Sequence, residues 1–238
     1  MLKAVIFDLD GVVADSHPIH EMAWKALLVE AGLKPEAISV GFLYAGHPRR
    51  EILKHYLGEL SDAQIQHWGR RKDELYELSA KKLQSKPGIP RVISQLKQAG
   101  ILCALATSAG RVRTVESLAH LGLSDYFSAV VTGEDVRNAK PAPDIFLLTA
   151  RKLDVAPRNC VVVEDSVAGV QAAVAGGMKC VGFASPDRFE ELQEAAADDA
   201  ISEFPQDSVA YFESLISLDD SSDAPLAAAR AKSSRQGL

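Results

Sequence analysis

The sequence predicts an α/β fold: a doubly wound, Rossmann-like parallel sheet interrupted after its first strand by an inserted α-helical cap. Three observations predict it. The first strand-like run, Ala4-Val-Ile-Phe7, is apolar at every position, as a strand buried on both faces is. From Pro87-Gly88 onward, short apolar runs alternate with amphipathic helical patterns, the grammar of a parallel sheet covered by helices. Between these two regions, residues from about 16 to 86 read as helices with no convincing strand. In such sheets ligands bind beyond the carboxyl ends of the strands, near the switch in strand order. An insertion directly behind the first strand is therefore placed to act as a lid.

Taken in order, the first strand ends in Asp8, Asp10 and Gly11. With a period of two along an extended chain, both carboxylates are expected on the same side. His17-Pro18 favours a helix start at Pro18, and that helix carries Met22, Ala23, Ala26, Leu27 and Ala31 on one face before Gly32 stops it. A second helix begins near Pro48 and gathers Ile52, Leu53, Tyr56 and Leu57 ahead of Gly58. Ser61-Asp-Ala-Gln64 has the spacing of a capping box and opens a third helix running toward Leu83. A helix over 90–99 then leads to a strand over 101–106, followed by helix 111–121, strand 129–132, helix 143–153, strand 160–163, helix 167–175 and strand 179–183. A weak strand near 200–201 and a helix over 208–217 complete the ordered part. The expected division is a core of residues 1–15 and 87–217, a helical cap of 16–86, and a poorly ordered Ser/Asp/Ala-rich tail of 218–238.

With 238 residues, 47% hydrophobic and 24% charged, the chain is ample for a real core and ordinary for a globular protein. A net charge of −6 speaks against a nucleic-acid or anionic-membrane surface, which needs a basic footprint. No apolar run approaches membrane-spanning length, and the first strand begins too early to leave room for a secretory signal peptide. Cys103, Cys160 and Cys180 are odd in number and each sits in an apolar run, so they read as small buried hydrophobes in a reducing compartment. The expectation is a cytoplasmic monomer.

Four chemical features fall at or just after predicted strand ends. Asp8 and Asp10 are like charges that need a cation between them or a proton on one. Thr107-Ser108 offers hydroxyls and the start of a helix whose N–H groups face an anion. Lys140-Pro-Ala-Pro-Asp144 holds a lysine in a rigid turn, and Glu164-Asp165-Ser166 follows the buried run Cys160-Val-Val-Val163. Each has an ordinary reading alone: an Asp-Gly turn, an N-cap, a solvated lysine, a second cap. Together they put four acids, a hydroxyl and a lysine at one edge of one sheet. An oxygen-only set suits a hard cation such as Mg²⁺. Carboxylate nucleophile, Mg²⁺, lysine and hydroxyl are the parts phosphoryl transfer needs.

Asp8-Leu-Asp-Gly11, Thr107, Lys140-Pro141 and Glu164-Asp165-Ser166 resemble the four motifs of the haloacid-dehalogenase superfamily, over residues 1 to about 215. The inserted cap resembles the subgroup that includes β-phosphoglucomutase and many sugar-phosphate phosphatases. The resemblance implies that Asp8 is the nucleophile, forming an aspartyl-phosphate, and that Asp10 is the proton donor and acceptor. It implies too that Thr107, with Ser108, binds the phosphoryl group and that Lys140 pairs with it and with Asp8. It further implies that Mg²⁺ is held by the Asp8 side chain, the Asp10 carbonyl and Asp165, with Glu164 a direct or water-mediated ligand. The acid at position 10 points to a phosphate ester, since dehalogenases and phosphonatases of the superfamily lack it.

In the cap, His20, Trp24, Lys25, Gly46, Arg49 and Lys72 match positions in β-phosphoglucomutase, where the counterparts of Arg49 and Lys72 contact substrate and that of His20 supports the acid/base. Ordinary phosphatases of the subgroup share several of these, including the Lys72-x-x-x-Tyr76 spacing, while Arg50, Lys54, Arg70 and Arg71 read as a solvated basic face. The chain departs from the mutase at Ala109, Gly110 and Arg111, where the mutase has a serine and a Lys-Asn pair that hold a distal phosphate; Arg111 and Arg113 are the residues at hand to replace them. The expectation is a Mg²⁺-dependent phosphatase of a small phosphorylated metabolite, with β-phosphoglucomutase as the alternative. A phospho-acceptor signalling domain also combines paired acids, a hydroxyl and a lysine, but its acceptor lies on a later strand and no helical insertion follows the first.

Overall fold

Strands β1 (Ala4–Phe7), β2 (Leu102–Thr107), β3 (Ala129–Thr132), β4 (Cys160–Glu164), β5 (Lys179–Phe183) and β6 (Asp199–Ile201) form one sheet in the order β3-β2-β1-β4-β5-β6. All five pairings are parallel. The computed structural model describes residues 1–44 and 49–220. The strand order reverses between β1 and β4, with Phe7 in register with Leu105 on one side and Val163 on the other. The chain leaving β1 therefore enters a crevice walled by the ends of β2 and β4, where doubly wound sheets bind ligands.

Alternation along the strands feeds two cores. Val5, Phe7, Cys103, Leu105, Val161 and Val163 face one side, packing with Ile89, Val92, Ile93 and Leu96 of α5 (Ile89–Gln98), Leu118 of α6 (Arg111–His120) and Phe212 of α10 (Ser208–Asp220). Ala4, Ile6, Ala104, Ala106 and Val162 face the other, against α7 (Asp144–Leu153), α8 (Val167–Ala175) and α9 (Phe189–Glu194). Arg91 of α5 donates to the carbonyls of Phe204, Pro205 and Gln206 and so fixes the entry to α10. All three cysteines are buried and unbridged, as their apolar neighbours led us to expect. No helix of the described residues is long and apolar enough to cross a membrane.

Between β1 and α5 lie α1 (His17–Glu30), α2 (Val40–Tyr44), α3 (Arg49–Leu57) and α4 (Asp62–Ser79). Trp24, Leu27, Ile52 and Leu53 form their private core, packed with Phe42, Leu43, Ile65 and Trp68. Both halves of the capping box at Ser61 and Gln64 are present at the start of α4.

Several boundaries differ from the sequence reading. Strand β1 ends at Phe7, so Asp8 and Asp10 share an edge because the chain turns there, with the Gly11 N–H on the Ala14 carbonyl, and not through strand periodicity. Helix α1 buries Ile19, Ala23, Trp24, Leu27 and Leu28, leaving Ala26 exposed, because its partner face centres on Trp24. Helix α4 stops at Ser79 and tightens into a 3₁₀ turn over Ala80–Lys82. The five- and six-residue helices α2 and α9 escaped notice, since so few positions show no period. Helix α10 runs through 220, and the rest of the predicted tail, like Gly46 and Pro48, lies outside the described residues.

Ile93 is fully buried beneath the sheet whereas Val115 of α6 is 56% exposed. Ile93→Ala should cost about 2–5 kcal/mol in urea unfolding, and Val115→Ala under about 0.5 kcal/mol.

Candidate active site

The Lys140 ammonium lies between the ends of β1 and β4. Its Nζ donates to Asp8 Oδ1 at 2.7 Å, pairs with Glu164 Oε1, and reaches the Ala106 carbonyl at 3.4 Å. The Phe146 ring of α7 stands 4.9 Å away as one wall. Lys140 is 7% exposed and Glu164 1%, so the three charges are out of water. Burial alone would discharge the lysine, but Asp8 and Glu164 overcome it and hold the ammonium above its ordinary value.

The second oxygen of Glu164 accepts from the Ser166 N–H (3.0 Å) and hydroxyl (2.9 Å), and Ser166 Oγ in turn caps α8 by accepting from the Gly169 N–H at 3.1 Å. A Cβ on Gly169 would stand 1.9 Å from the Glu164 carboxyl carbon, so that position admits only glycine. Asp165 follows, its Oδ2 3.0 Å from His17 Nε2. Gly11, at φ +77°, passes so close that a Cβ there would meet Asp165 Oδ2 at 2.1 Å.

Asp8 and Asp10 stand in opposite electrostatic situations. Burial, reinforced by Glu164, Asp165 and Asp10, pushes the Asp8 carboxyl well above the usual carboxylate range despite Lys140. Burial acts on Asp10 too, but Arg113 and His20 outweigh it and hold Asp10 well below that range. Arg113 of α6 grips both Asp10 oxygens, at 2.8 and 2.6 Å, in the two-pronged geometry that strengthens such pairs. His20 Nε2 lies 3.5 Å from Asp10 Oδ1, and its Nδ1 is 2.6 Å from Lys72 Nζ. The neutral Nε2–H tautomer satisfies both contacts, and burial lowers the imidazole accordingly. Lys72 is pushed down to about 7, first by burial and then by Arg113 and Arg49, with its ammonium 5.8 Å from the Trp24 ring and 5.1 Å from that of Tyr76.

Around Asp8 gather three further carboxylates and one lysine, so negative charge exceeds positive. Oxygen donors alone, in excess of their cations, are the set a hard divalent ion takes. Among the described residues no three acid, His or Cys side chains form a cluster that could by itself hold a metal ion. With both oxygens already engaged, Glu164 is turned toward Lys140 and Ser166.

Most of the residues picked from the sequence converge. Asp8, Lys140 and Glu164 make one cluster, and Asp10, His20 and Lys72 another. Thr107 is buried at the end of β2, its Oγ1 accepting from the Ala109 N–H at 3.1 Å, and Ser108 beside it is exposed. Arg49 lines a cavity of about 250 Å³ with His20, Trp24, Lys72, Asp165 and Arg188, while its guanidinium pairs with Asp73 at 2.6–3.0 Å. Arg50, Lys54 and Arg71 pair with acids on the outer face, as a solvated basic surface does. The sequence reading missed that Arg113 engages Asp10 and that His17 engages Asp165. The His17/His20 spacing puts both on one helix face and could have flagged His17; nothing in the sequence marks Arg113 as Asp10's partner.

Comparison with known proteins agrees with this geometry. The model of the haloacid dehalogenase-like hydrolases matches residues 2–177. The chain is 35% identical to a phosphorylated carbohydrates phosphatase of Thermotoga maritima over 181 residues, 75% of this chain and 83% of that protein. It is 35% identical to a β-phosphoglucomutase of Bacillus subtilis over 190 residues, 76% and 83% of the two. Among solved structures, a β-phosphoglucomutase from Clostridium difficile superposes with a TM-score of 0.78 at 28% identity, covering 93% of this chain and all of the other. The sheet order, the acids at the ends of β1 and β4 and the matched model agree: the chain belongs to the haloacid dehalogenase-like hydrolases.

Proposed function

We propose that the protein is a Mg²⁺-dependent phosphatase of a small phosphorylated carbohydrate, working through an aspartyl-phosphate on Asp8. The observation that carries this reading is the separation of two acids: Asp8 clamped by the buried Lys140 at the sheet edge, Asp10 held apart by Arg113 and by His20. Its relatives include three phosphatases and a β-phosphoglucomutase.

The Asp8 carboxylate attacks phosphorus and the bond from phosphorus to the sugar oxygen breaks. Asp10 gives its proton to that oxygen, releasing a free hydroxyl. Water then attacks the aspartyl-phosphate, Asp10 takes its proton, and Asp8 is regenerated with inorganic phosphate. Thr107, Ser108 and Lys140 hold the phosphoryl oxygens. Asp8, Asp165 and the Asp10 carbonyl would hold Mg²⁺, which when bound would supply charge neutralisation for those oxygens. Glu164 serves by fixing Lys140. Because Arg113 fills both oxygens of Asp10, that pairing opens before Asp10 carries a proton. Residues 16–86 act as a cap over the core of 1–15 and 87–217, with His20, Arg49 and Lys72 meeting the part of the substrate that leaves.

The matches to β-phosphoglucomutases favour one other reading, in which a sugar hydroxyl and not water takes the phosphoryl group. Supplying β-glucose 1-phosphate, Mg²⁺ and a trace of the bisphosphate separates the two: the phosphatase yields inorganic phosphate, and accumulation of glucose 6-phosphate would overturn that outcome.

Asp8→Asn should abolish phosphate release, whereas Asp10→Ala should slow turnover on the order of 10²-fold. Full activity in the first variant would remove the nucleophile, and an unchanged rate in the second would reassign the proton transfers. Lys72, at about 7, is an ammonium below neutral pH and an amine above it. Since it meets the substrate charged, kcat/KM should fall as pH rises through about 7. Lys72→Arg, which stays charged, should abolish that limb; its persistence would assign the limb to another group.

A further inference from the structure

A second cavity, about 290 Å³, opens between α4 and the loop after β2, bordered by Ser108, Gly110, Arg113 and Glu134 on one side and Arg49 and Asp73 on the other. It adjoins the phosphoryl-binding loop and shares Arg49 with the first cavity. Four features in and around it favour an anion: the N-terminus of α6 and the guanidiniums of Arg49, Arg111 and Arg113. Each is already met by a carboxylate of the chain itself. Glu134 Oε1 accepts from the Arg111 N–H at 3.2 Å, Asp135 pairs with the Arg111 guanidinium, Asp10 with Arg113 and Asp73 with Arg49.

Glu134 is held at the mouth of α6 by a purpose-built turn. Asp135 Oδ2 accepts from both the N–H (2.8 Å) and the hydroxyl (2.9 Å) of Thr132, closing the 3₁₀ turn Gly133–Asp135. The Gly133 N–H donates to the Ala109 carbonyl at 3.1 Å, tying the turn to the loop after β2. The backbones meet closely here: a Cβ on Gly133 would stand 2.7 Å from the Ser108 carbonyl oxygen, and one on Gly110 would stand 2.7 Å from Glu134 Oε1 and displace that carboxylate.

We propose that Glu134 is a specificity-determining residue: its carboxylate takes the helix-start position that a second anionic group would need, and so selects substrates that are uncharged beyond the scissile phosphate. This rests on the phosphatase reading. The preferred class is a monophosphate of a neutral, hydroxyl-bearing carbohydrate. A second phosphate meets Glu134 and Asp73 in place of free donors, and discrimination comes from repulsion as well as from lost contacts.

The test compares kcat and KM for fructose 1-phosphate and fructose 1,6-bisphosphate in the wild type, Glu134→Gln and Glu134→Ala, with Mg²⁺ present. The bisphosphate-to-monophosphate ratio of kcat/KM should rise about fivefold in both variants, the size expected for one exposed charge, and the change should lie in the bisphosphate KM. An unchanged or lower ratio in either folded variant overturns the proposal. The wild type supplies a reading that needs no variant: added salt, by screening the repulsion, should raise the same ratio, and a fall would mean that the cavity attracts the second phosphate. Release of phosphate from neither sugar ester would sink the phosphatase reading together with this one, whereas a working monophosphatase whose ratio does not move sinks this one alone.

Discussion

The buried ammonium of Lys140, shared by Asp8 and Glu164, is the interaction on which the site depends. Removing either partner from such a cluster leaves an unpaired charge out of water, a loss of about 3–5 kcal/mol. The lysine arrives from the loop before α7, Asp8 from the end of β1 and Glu164 from the end of β4. Only a sheet that reverses its order between β1 and β4 brings these ends together. The fold and the charge cluster thus impose the same constraint from two directions, one through backbone pairing and one through electrostatics.

Around that clamp, two carboxylates separated by one residue acquire different chemistry. Asp8 lies among other acids and is short of positive charge, a state that favours a cation or an incoming phosphoryl group's counter-ion. Asp10 is surrounded by nitrogen: Arg113 from the core and His20 from α1, which Lys72 of α4 supports from behind. One acid is governed by the sheet, and the other by residues that include His20 of α1 and Lys72 of α4. Asp10 therefore meets the inserted helices through His20, with Lys72 behind it.

Much of this was legible in the sequence. The strands 129–132 and 179–183 and the helix 167–175 stand where alternating apolar runs and breakers set them. Asp8, Asp10, Lys140, Glu164 and Asp165 were recognisable because acids and a lysine at the ends of buried runs are costly anywhere except a site. The partners that organise them were less visible. Arg113 lies 103 residues from Asp10 on a helix with other arginines, and no local pattern distinguishes the one that turns inward. Glu134 and Asp135 carry no pattern of their own in the sequence, and only the fold sets the loop from β2 against them. The short helices α2 and α9 lacked the length to show a period.

The position of β1 in the sheet has a consequence for the order in which the molecule is completed. It is the first strand in the chain, yet both of its neighbours, β2 and β4, lie roughly a hundred residues or more downstream. Closing so distant a pairing is slow, because the intervening loop loses its freedom before any contact rewards it. The inserted helices also have a separate core around Trp24, Leu27, Ile52 and Leu53, whose contacts lie within the insertion and need no such wait. During synthesis β1 spends its time as an apolar strand with two open edges, and the helices that follow it are the nearest structure available to shelter it until β4 emerges.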